Sequence, residues 1–587
     1  MFCGERSDRW TGNTPRFERG MPENDDVRVT GSGDSRHFDQ NLDPSVSSPA
    51  ETVLFESSAF VRRLVRLSSR CEIVCDTLPE DGIETRFLRW TPEDRDASAS
   101  FSFAADSSGF ISDERMGTVL TGGTDGEAPM LWLPRGIVVG RMDRHERLKV
   151  VDDVAVESWW ELEKAPKFNL RLSAAEEVTV YLPMVAFAEG TSVRRADLFE
   201  LGGVELQRYL KSDWFDASSP ADLWKCFVDA VVFDPRDAGR GRFRCQQCAF
   251  AWWSYLMALH SQTGKEHYRS LARAVAWSVR VDLGSEGSWR HGFWNEKPEV
   301  HSRMLWDGVR LLLSEYEMAP HPDLLTAAEE VTEFAVQNLT EELDGGRRWF
   351  LHDSDEGSIP LRVSEPVLGR SEHNSLCLNT HIQALCVLVQ LDRITGDDGR
   401  IRKIYQKGLG ALEAALGLAC DSGALKIVDR FLPLLLSWKI PHGFGERVLR
   451  FIAYRVLLGG YWWVRKRAPC LVFPSGYIDR DLGRSILADE YHVVNLKDLC
   501  ELQRLDPHPW MAEVIAAAIR FVASLDFERA LERSPIWAEW ADVLKLTNLG
   551  SSVDSVQVEA MVADVLGGKP LDSFCEAAGV WRFEDLD

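Results

Sequence analysis

The residues best suited to chemistry come from one tryptophan-rich loop. It contains Trp289, His291, Glu299, His301 and Arg303. Aromatic rings stack on sugar faces, whereas imidazole, guanidinium and carboxylate groups bind hydroxyls or a sugar carboxylate. So many titratable groups at a helix start predict substrate-binding roles, with His301 and Arg303 facing a cup of helices. The alternative is that the tryptophans belong to the core and the charged groups pair with one another.

A second group surrounds the start of a helix in residues 371–397. Asparagine or threonine can cap this helix, and Gly396 can end it. The helix is apolar on nearly every face, so it must be buried on all sides. An inner helix with polar groups in its first turn is typical of an α/α toroid. We therefore expect Asn379 to bind substrate and His381 and Glu372 to carry protons.

A third group lies before and within a later helix and contains Arg480, Tyr491 and His492. A tyrosine and a histidine at a helix start can exchange protons, and the helix dipole favours an anion there. Arg480 would neutralise a bound carboxylate. The alternative is that Tyr491 packs between helices. His352 and Asp353 are further candidates, although each by itself is more typical of a charged loop.

The sequence predicts neither a metal nor a cofactor. His301 and Glu299, with His291 and His381, could be taken as metal ligands, but no tight His/Asp spacing on one helix supports a metal. Cys245 and Cys248 form one Cys-x-x-Cys pair, and no second pair follows at zinc-finger spacing.

The charge of the chain restricts its partners. The sequence has 91 acidic and 67 basic residues, a net charge of −24, which argues against nucleic-acid binding. A local basic patch runs from Lys439 to Arg467 beside aromatic residues. It would bind an acidic glycan or glycolipid, or contact a membrane surface peripherally, unless it is simply a solvated helix face. The oligomeric state does not follow from the sequence.

Neither a signal-peptide pattern nor a long uncharged apolar run is present, so we expect a cytoplasmic protein. The 12 cysteines are scattered, and half lie in apolar helical contexts. This distribution predicts reduced core thiols rather than a disulfide framework.

The hydrophobic pattern predicts an α+β multidomain fold, in which an N-terminal antiparallel β-domain precedes an (α/α) toroid or barrel. Residues 1–50 lack hydrophobic periodicity and are expected to be disordered. Residues 51–195 show short alternating runs, which predict a β-sandwich-like domain. Residues 215–525 show helical periodicity with an insertion at about 432–489, and residues 526–587 would form a helical tail.

The helical part is predicted to begin with a helix at 221–233 and to continue as helix pairs. In each pair the first helix is more apolar, which predicts an inner and an outer layer. The pairs are 246–262 with 266–281, 300–317 with 322–340, 380–395 with 399–418, and 491–505 with 510–525.

Several short motifs between about 365 and 510 form a recognisable series. They are Leu378-Asn379, Tyr405 to Leu409 with Ala411 to Ala414, Asp421-Ser-Gly423, and Tyr491-His492. The series resembles the C-terminal domain of D-glucuronyl C5-epimerases, which modify glucuronate in heparan-type chains. The resemblance implies an α/α domain and a catalytic role for Tyr491. Two further family tyrosines are absent, with Lys426 and Gly369 near their places, and the insertion at 432–489 is foreign to the family.

The leading hypothesis is an isomerase that removes the C5 proton of a uronate in a glycan and returns it on the other face. This reaction needs a base, an acid opposite and cations on the carboxylate. Tyr491 with His492 would supply one proton carrier, and His381 or Glu372 the other. A non-catalytic glycan-binding protein is one alternative. Another is a glycoside hydrolase or lyase on the same toroid, with a pair of carboxylates drawn from Glu299, Asp307, Asp355 and Glu372.

Overall fold

The computed structural model describes residues 37–41 and most of residues 50–523. The predictions for the helical tail, for most of the N-terminal segment and for the basic patch apart from Trp463 fall outside the described residues. The longer stretches outside the description are 1–36, 189–218 apart from Leu198, 357–366, 437–468 apart from Trp463, and 524–587.

A β-sheet region precedes the helices, as the alternating pattern predicts. Its strands are β1 (His37–Asn41), β2 (Ala50–Glu56), β3 (Val61–Ser68), β4 (Cys71–Leu78), β5 (Ile83–Trp90), β6 (Asp96–Ser102), β7 (Gly109–Asp113), β8 (Gly117–Thr121), β9 (Met130–Pro134), β10 (Val138–Met142), β11 (Leu148–Val150), β12 (Ala155–Glu161), β13 (Lys167–Ser173) and β14 (Thr179–Phe187). Strand β1 pairs in parallel with β6, so the expectation of disorder is wrong for residues 37–41.

The strands form two sheets that pack face to face. The larger sheet has the order β2-β3-β4-β5-β14-β9-β8-β7, and β10 joins it by pairing with β14 and β11. The smaller has the order β1-β6-β13-β12. Cys71 and Leu88 of the larger sheet share one apolar core with Phe168 and Leu170 of the smaller sheet. This arrangement is a sandwich, because alternate side chains of each strand point into the common core.

The predicted helix at 221–233 is wrong. The segment forms a 3₁₀ helix (Pro220–Lys225) and a hairpin of two short strands, β15 (Phe227–Val228) and β16 (Val231–Val232). Asp229 and Ala230 have φ values of 54° and 61°, the left-handed conformation that closes a tight hairpin. The apolar spacing also fits a buried hairpin, and the β-branched valines favour strands.

Four helix pairs follow, and their ends agree with the predicted ones to within about two residues, the usual uncertainty of helix ends. The helices are α1 (Gln246–Thr263), α2 (Glu266–Val281), α3 (Ser302–Met318), α4 (Pro322–Asn338), α5 (Leu378–Thr395), α6 (Arg400–Leu416), α7 (Gly423–Leu436), α8 (Asp489–Leu505) and α9 (Pro509–Ala523). Helix α7 follows the third pair along the chain and is not one of the four pairs.

The helix pairs form an arc of two layers. The first helices of the pairs are neighbours in the order α1, α3, α5 and α8, and each carries its partner α2, α4, α6 or α9. Helix α5 is buried as its composition predicts, since Ile382, Leu385 and Leu388 are inaccessible to solvent. The N-terminal ends of these inner helices are called the helix mouths below.

A β-hairpin that the sequence did not predict connects α4 towards α5. It consists of β17 (Thr340–Leu343) and β18 (Arg347–Phe350). Gly345 and Gly346, with φ values of 75° and 71°, make the turn, because only glycine adopts this conformation without strain. The hairpin packs against α5 and α6 and directs the chain into the loop that carries His352.

Eight described cysteines are free and buried, as expected of core thiols. Cys470 is disulfide-bonded, so the expectation of reduced thiols is wrong at this position. Among the helices described, none combines the length and the apolar character that crossing a membrane requires.

Close packing at Gly308 on α3 gives a direct test of the inner layer. A methyl group at this position would lie 2.7 Å from Cζ3 of Trp289. We expect Gly308→Ala to lower the free energy of unfolding by ~1–3 kcal/mol, the usual cost of overpacking a core. The measurement is urea unfolding followed by circular dichroism.

Gly410→Ala on α6 is the matched control, because a methyl group there would have nothing within 4 Å. Alanine favours helix over glycine by ~1 kcal/mol, so the control should be neutral or stabilising. Equal effects of the two substitutions would contradict the packing described here.

Candidate functional site

Five side chains meet at the helix mouths and are called the mouth cluster: His301, His352, Asp353, Arg480 and Tyr491. The rings of His301 and His352 lie 4.6 Å apart. Arg480 Nη2 lies 2.7 Å from His352 Nε2, and the guanidinium lies 4.2 Å from the centre of the Tyr491 ring. The cluster therefore brings His301, from the tryptophan-rich loop, together with Arg480 and Tyr491, from the segment before and within α8. His352 and Asp353 lie between them.

The contacts of His352 determine which ring nitrogen carries the proton. An arginine has only donors, so Nε2 of His352 accepts from Arg480. The proton of the neutral ring then lies on Nδ1, which is 2.7 Å from Asp353 Oδ2 and donates to it. This interaction lowers the pKa of Asp353 despite burial, which by itself would raise it. His352 is thus a neutral base with a carboxylate behind it and a cation in front.

Backbone pairing holds the His352 loop against the start of α3. The Ser302 amide donates to the His352 carbonyl at 3.0 Å, and His301 and Asp353 form an antiparallel bridge. Glu356 binds the loop from the other side, accepting from the His352 amide at 2.5 Å and from the Ser375 hydroxyl at 2.5 Å. These bonds connect the loop to the segment before α5.

Arg480 is positioned by a segment that runs beside the start of α5. Its carbonyl accepts from the Leu378 amide at 2.9 Å, and its side chain is 6% exposed. Burial lowers its pKa, but Cys377, Tyr491 and Asp481 outweigh burial, so its pKa is above the ordinary arginine value. Arg480 is therefore a permanent cation at the edge of solvent.

The other two histidines of the first loop are held neutral. His291 Nε2 donates to Gln246 Oε1 at 2.9 Å, and its Nδ1 accepts from the His301 amide. Burial lowers the pKa of His291 to about 3. Burial, together with the neighbouring His352, His291 and Arg480, holds the pKa of His301 well below its usual range. Nδ1 of His301 is buried and has no hydrogen-bond partner among the described residues.

The structure does not support His381 and His492 as proton carriers. His381 Nδ1 accepts from the Phe350 amide, Nε2 donates to the Gly408 carbonyl, and the ring stacks on Trp349 at 3.9 Å. His492 accepts from the Ile478 amide and packs between aromatic rings in the core. Burial lowers the pKa of His381 to about 3 and that of His492 to about 4. Both are structural residues.

The predictions for Trp289 and Glu372 also need correction. Trp289 is too deeply buried for its predicted role, and Glu372 is too exposed for its own. Trp289 is buried against Gly308, and its indole donates to the Val279 carbonyl at 3.1 Å, so it is a core residue rather than a platform for sugar. The Glu372 side chain is 69% exposed and pairs with His373 at 3.8 Å. It lacks the burial and the fixed neighbours that prepare a carboxylate for proton transfer.

Asn379 and Glu299 are both buried close to the mouth cluster. Asn379 Oδ1 accepts from the Cys377 thiol at 3.0 Å, and Cys377 in turn bonds to Arg480. The Glu299 carbonyl accepts from the His291 amide at 2.8 Å. Their positions are compatible with the substrate-binding roles predicted for them.

Arg303 is already bound to a carboxylate of its own chain. Nη1 of Arg303 donates to Asp498 Oδ2 at 3.0 Å, and farther along the same helices Arg310 pairs with Glu501 in the same way. Both bonds join α3 to α8 across the inside of the arc. The structure therefore assigns the charge of Arg303 to Asp498 rather than to a substrate.

A separate groove of about 1050 Å³ lies between α2, α4 and the ends of α5 and α6. None of the mouth-cluster residues lines it. The carboxylates around it outnumber the arginines, which makes it unsuited to an acidic glycan. Its charged residues are Glu286, Glu329, Glu330, Glu333, Arg280 and Arg400.

No family model matches the chain, and no curated protein matches it. A polysaccharide lyase covers 55% of this chain and 77% of its own length at 11% identity, with a TM-score of 0.29. The unsaturated glucuronyl hydrolase of Bacillus sp. GL1 covers 60% of this chain and 96% of its own length at 12% identity, with a TM-score of 0.27. A family 76 glycoside hydrolase from a Bacteroides thetaiotaomicron strain covers 83% of this chain and 97% of its own length at 10% identity, with a TM-score of 0.30. Likeness at this level does not establish a common fold.

The pairing of Arg303 with Asp498 predicts a structural rather than a binding effect of mutation. We expect Arg303→Ala to lower the free energy of unfolding by ~3–5 kcal/mol, because it leaves a carboxylate buried without its cation. The double variant Arg303→Ala/Asp498→Asn should recover part of the loss in urea unfolding. Unchanged stability with weakened glycan binding would show instead that Arg303 serves the ligand.

The buried His381 predicts a pH dependence of stability. Its pKa of about 3 is below the ordinary value of 6.5, so the unfolded chain binds a proton that the folded chain does not. Stability is therefore fully present above pH 6.5 and falls between 6.5 and 3, by about 1.4 kcal/mol per pH unit for one such group. His381→Gln, which keeps a donor and an acceptor, should reduce this slope in urea unfolding between about pH 6 and 4.

His373→Gln is the matched control. It makes the same substitution at a histidine whose side chain is 29% exposed. An identical slope in wild type and His381→Gln would mean that His381 is not held neutral.

Proposed function

We propose that the protein is a carbohydrate-active enzyme that removes the C5 proton of a uronate within an acidic glycan, and that it epimerises this carbon. The observation that carries the proposal is the arrangement of His352 between Asp353 and Arg480, with the Tyr491 ring on the guanidinium. A base with a fixed tautomer, a permanent cation and a phenol are the three groups that this reaction needs.

The first step is the exchange of partners by Arg480. The guanidinium donates to His352 Nε2 at 2.7 Å when no substrate is bound. A uronate carboxylate accepts charge-assisted, bidentate hydrogen bonds from arginine, which are stronger than a bond to neutral imidazole. Binding of the carboxylate therefore draws Arg480 away from Nε2 and exposes the lone pair of His352 beside the sugar. The substrate itself activates the base in this scheme.

In the second step the C5–H bond breaks and the proton moves to His352 Nε2. The electron pair enters the carboxylate as an enolate, which Arg480 stabilises by its charge. Asp353 stabilises the imidazolium through the bond to Nδ1, at 2.7 Å in the free enzyme. Tyr491 then donates its phenolic proton to C5 from the other face. Solvent returns the proton to Tyr491 and removes the one on His352, so that atoms and charges balance.

The arrangement gives less support to a hydrolase. A hydrolase needs two carboxyl groups about 5–5.5 Å or 6.5–9.5 Å apart across the sugar. Of the four carboxylates proposed from the sequence, Glu372 lies at the surface, and Asp307 accepts a hydrogen bond from the Gln383 amide. Asp353, the carboxylate in the mouth cluster, is bound to His352 and is suited to orient that base.

The test is incorporation of deuterium at C5 of glucuronate-containing oligosaccharides in deuterated water. We expect wild type to exchange this proton, and His352→Gln and Tyr491→Phe each to lose about 10²-fold or more in turnover with little change in binding. Tyr405→Phe is the matched control, since the Tyr405 hydroxyl bonds to Asp506 at the other end of the helices and should not affect the reaction.

A wild-type enzyme that exchanges no C5 proton on any uronate glycan contradicts the proposal. Exchange that leads to an unsaturated product instead of the epimer would retain the first steps and replace epimerisation by β-elimination. Normal turnover in His352→Gln would remove His352 from the mechanism.

A further inference from the structure

Three side chains with metal-ligating atoms meet at the start of α1. One follows strand β16, one directly precedes α1, and one lies in the first turn of α1. Asp234, Cys245 and Cys248 have their ligand atoms within 4.8 Å of one another. All three are buried, with 0–1% of their surface exposed. This cluster belongs to neither the mouth cluster nor the ion pairs between α3 and α8.

We propose that Asp234, Cys245 and Cys248 bind a zinc ion that ties the β15–β16 hairpin to the start of α1. Thiolates with a carboxylate are ligands that Zn²⁺ accepts in tetrahedral sites. Zinc–ligand bonds of about 2.0–2.3 Å place tetrahedral ligand atoms about 3.3–3.8 Å apart, so the side chains need to move inward by only about 1 Å.

A fourth ligand is at hand in Cys226. This thiol is buried and in electrostatic contact with Asp234 and Cys245. Its backbone carbonyl accepts from the Phe233 amide at 2.8 Å, which places Cys226 beside Asp234 across the hairpin. The Cys226 thiol is not one of the atoms that lie within 4.8 Å of one another, so it would have to move towards Asp234 and Cys245 to become the fourth ligand. A closed set of four protein ligands, shielded from solvent, is the arrangement of structural zinc sites rather than catalytic ones.

The backbone of the region is built to hold these ligands. The Cys245 amide donates to the Val232 carbonyl at 2.9 Å, and the Asp234 amide donates to the Phe243 carbonyl at 2.8 Å. Cys248 follows one turn into α1, where its amide donates to Cys245 Sγ at 3.3 Å. A hairpin on one side and a helix start with Cys-x-x-Cys on the other is a common way to present zinc ligands. Asp234 supplies the third ligand atom from the segment after β16.

A helix cap or a redox disulfide would account for less of the geometry. Cys245 acts as the N-cap of α1, and its thiol donates to Asp234 Oδ2 at 3.8 Å. A helix cap by itself needs neither a buried carboxylate nor a second buried thiol beside it. A redox disulfide between Cys245 and Cys248 would use two of the residues, but reactive Cys-x-x-Cys pairs are partly exposed to their partners, whereas both thiols here are 1% exposed.

The test is the zinc content of the full chain, purified without chelators or an affinity tag that binds metal and measured by plasma mass spectrometry. We expect about one zinc ion per chain that survives dialysis against a weak chelator, as a structural site should. Cys248→Ser and Asp234→Ala should each lower the content by about tenfold or more. Cys500→Ser, a buried thiol on α8, is the matched control and should keep the metal.

A measurement on wild type remains informative if the variants do not fold. Replacement of zinc by Co²⁺ should give the near-ultraviolet absorption of thiolate–cobalt bonds and the intense visible bands of tetrahedral cobalt. Zinc that dialyses away, a substoichiometric content, or a Cys245–Cys248 disulfide found by peptide mapping of the native protein would overturn the proposal.

Discussion

The complete burial of the inner helices is the constraint on which the rest of the structure depends. Helix α5 has apolar residues on nearly every face, so it is stable only when other elements surround it. Helices α3 and α8 flank it, α6 covers it, and the β17–β18 hairpin closes its side near the mouth. Polar residues are tolerated at its N-terminal end, because the first turn of a helix has unpaired amides that need partners. The position of the candidate site at the helix mouths follows from this.

Burial also decides the protonation state of the polar groups near the site. His291, His381 and His492 are neutral because a charge in the interior loses its hydration. Arg480 stays charged because several acidic neighbours outweigh its burial. His352 differs from these histidines in being 15% exposed and in bonding to two charged side chains. A neutral base beside a permanent cation is suited to a substrate that carries its own negative charge, and this match connects the electrostatics to the proposed uronate chemistry.

Particular residues show how far the sequence could lead to the site. His301, Arg480 and Tyr491 lie together in one cluster, because each precedes or opens an inner helix and helix mouths converge. His381 and His492 satisfy the same rule, yet backbone groups occupy their ring nitrogens. The sequence gives little weight to His352 and Asp353, because they follow a hairpin that the helical pattern does not reveal. The adjacent Gly-Gly at 345–346 was the available signal, since two consecutive glycines are typical of a tight hairpin turn.

The sequence by itself determined the order of the sheet region and the helix pairs, and which helix of each pair lies inside. It did so because hydrophobic periodicity is a local property that burial imposes on each element separately. Only the tertiary structure decided which polar groups remain available for chemistry. Arg303 and Arg480 look alike in the sequence, but Arg303 meets Asp498, 195 residues away, whereas Arg480 meets His352. Such pairings depend on the three-dimensional packing of distant elements, and no local pattern encodes them.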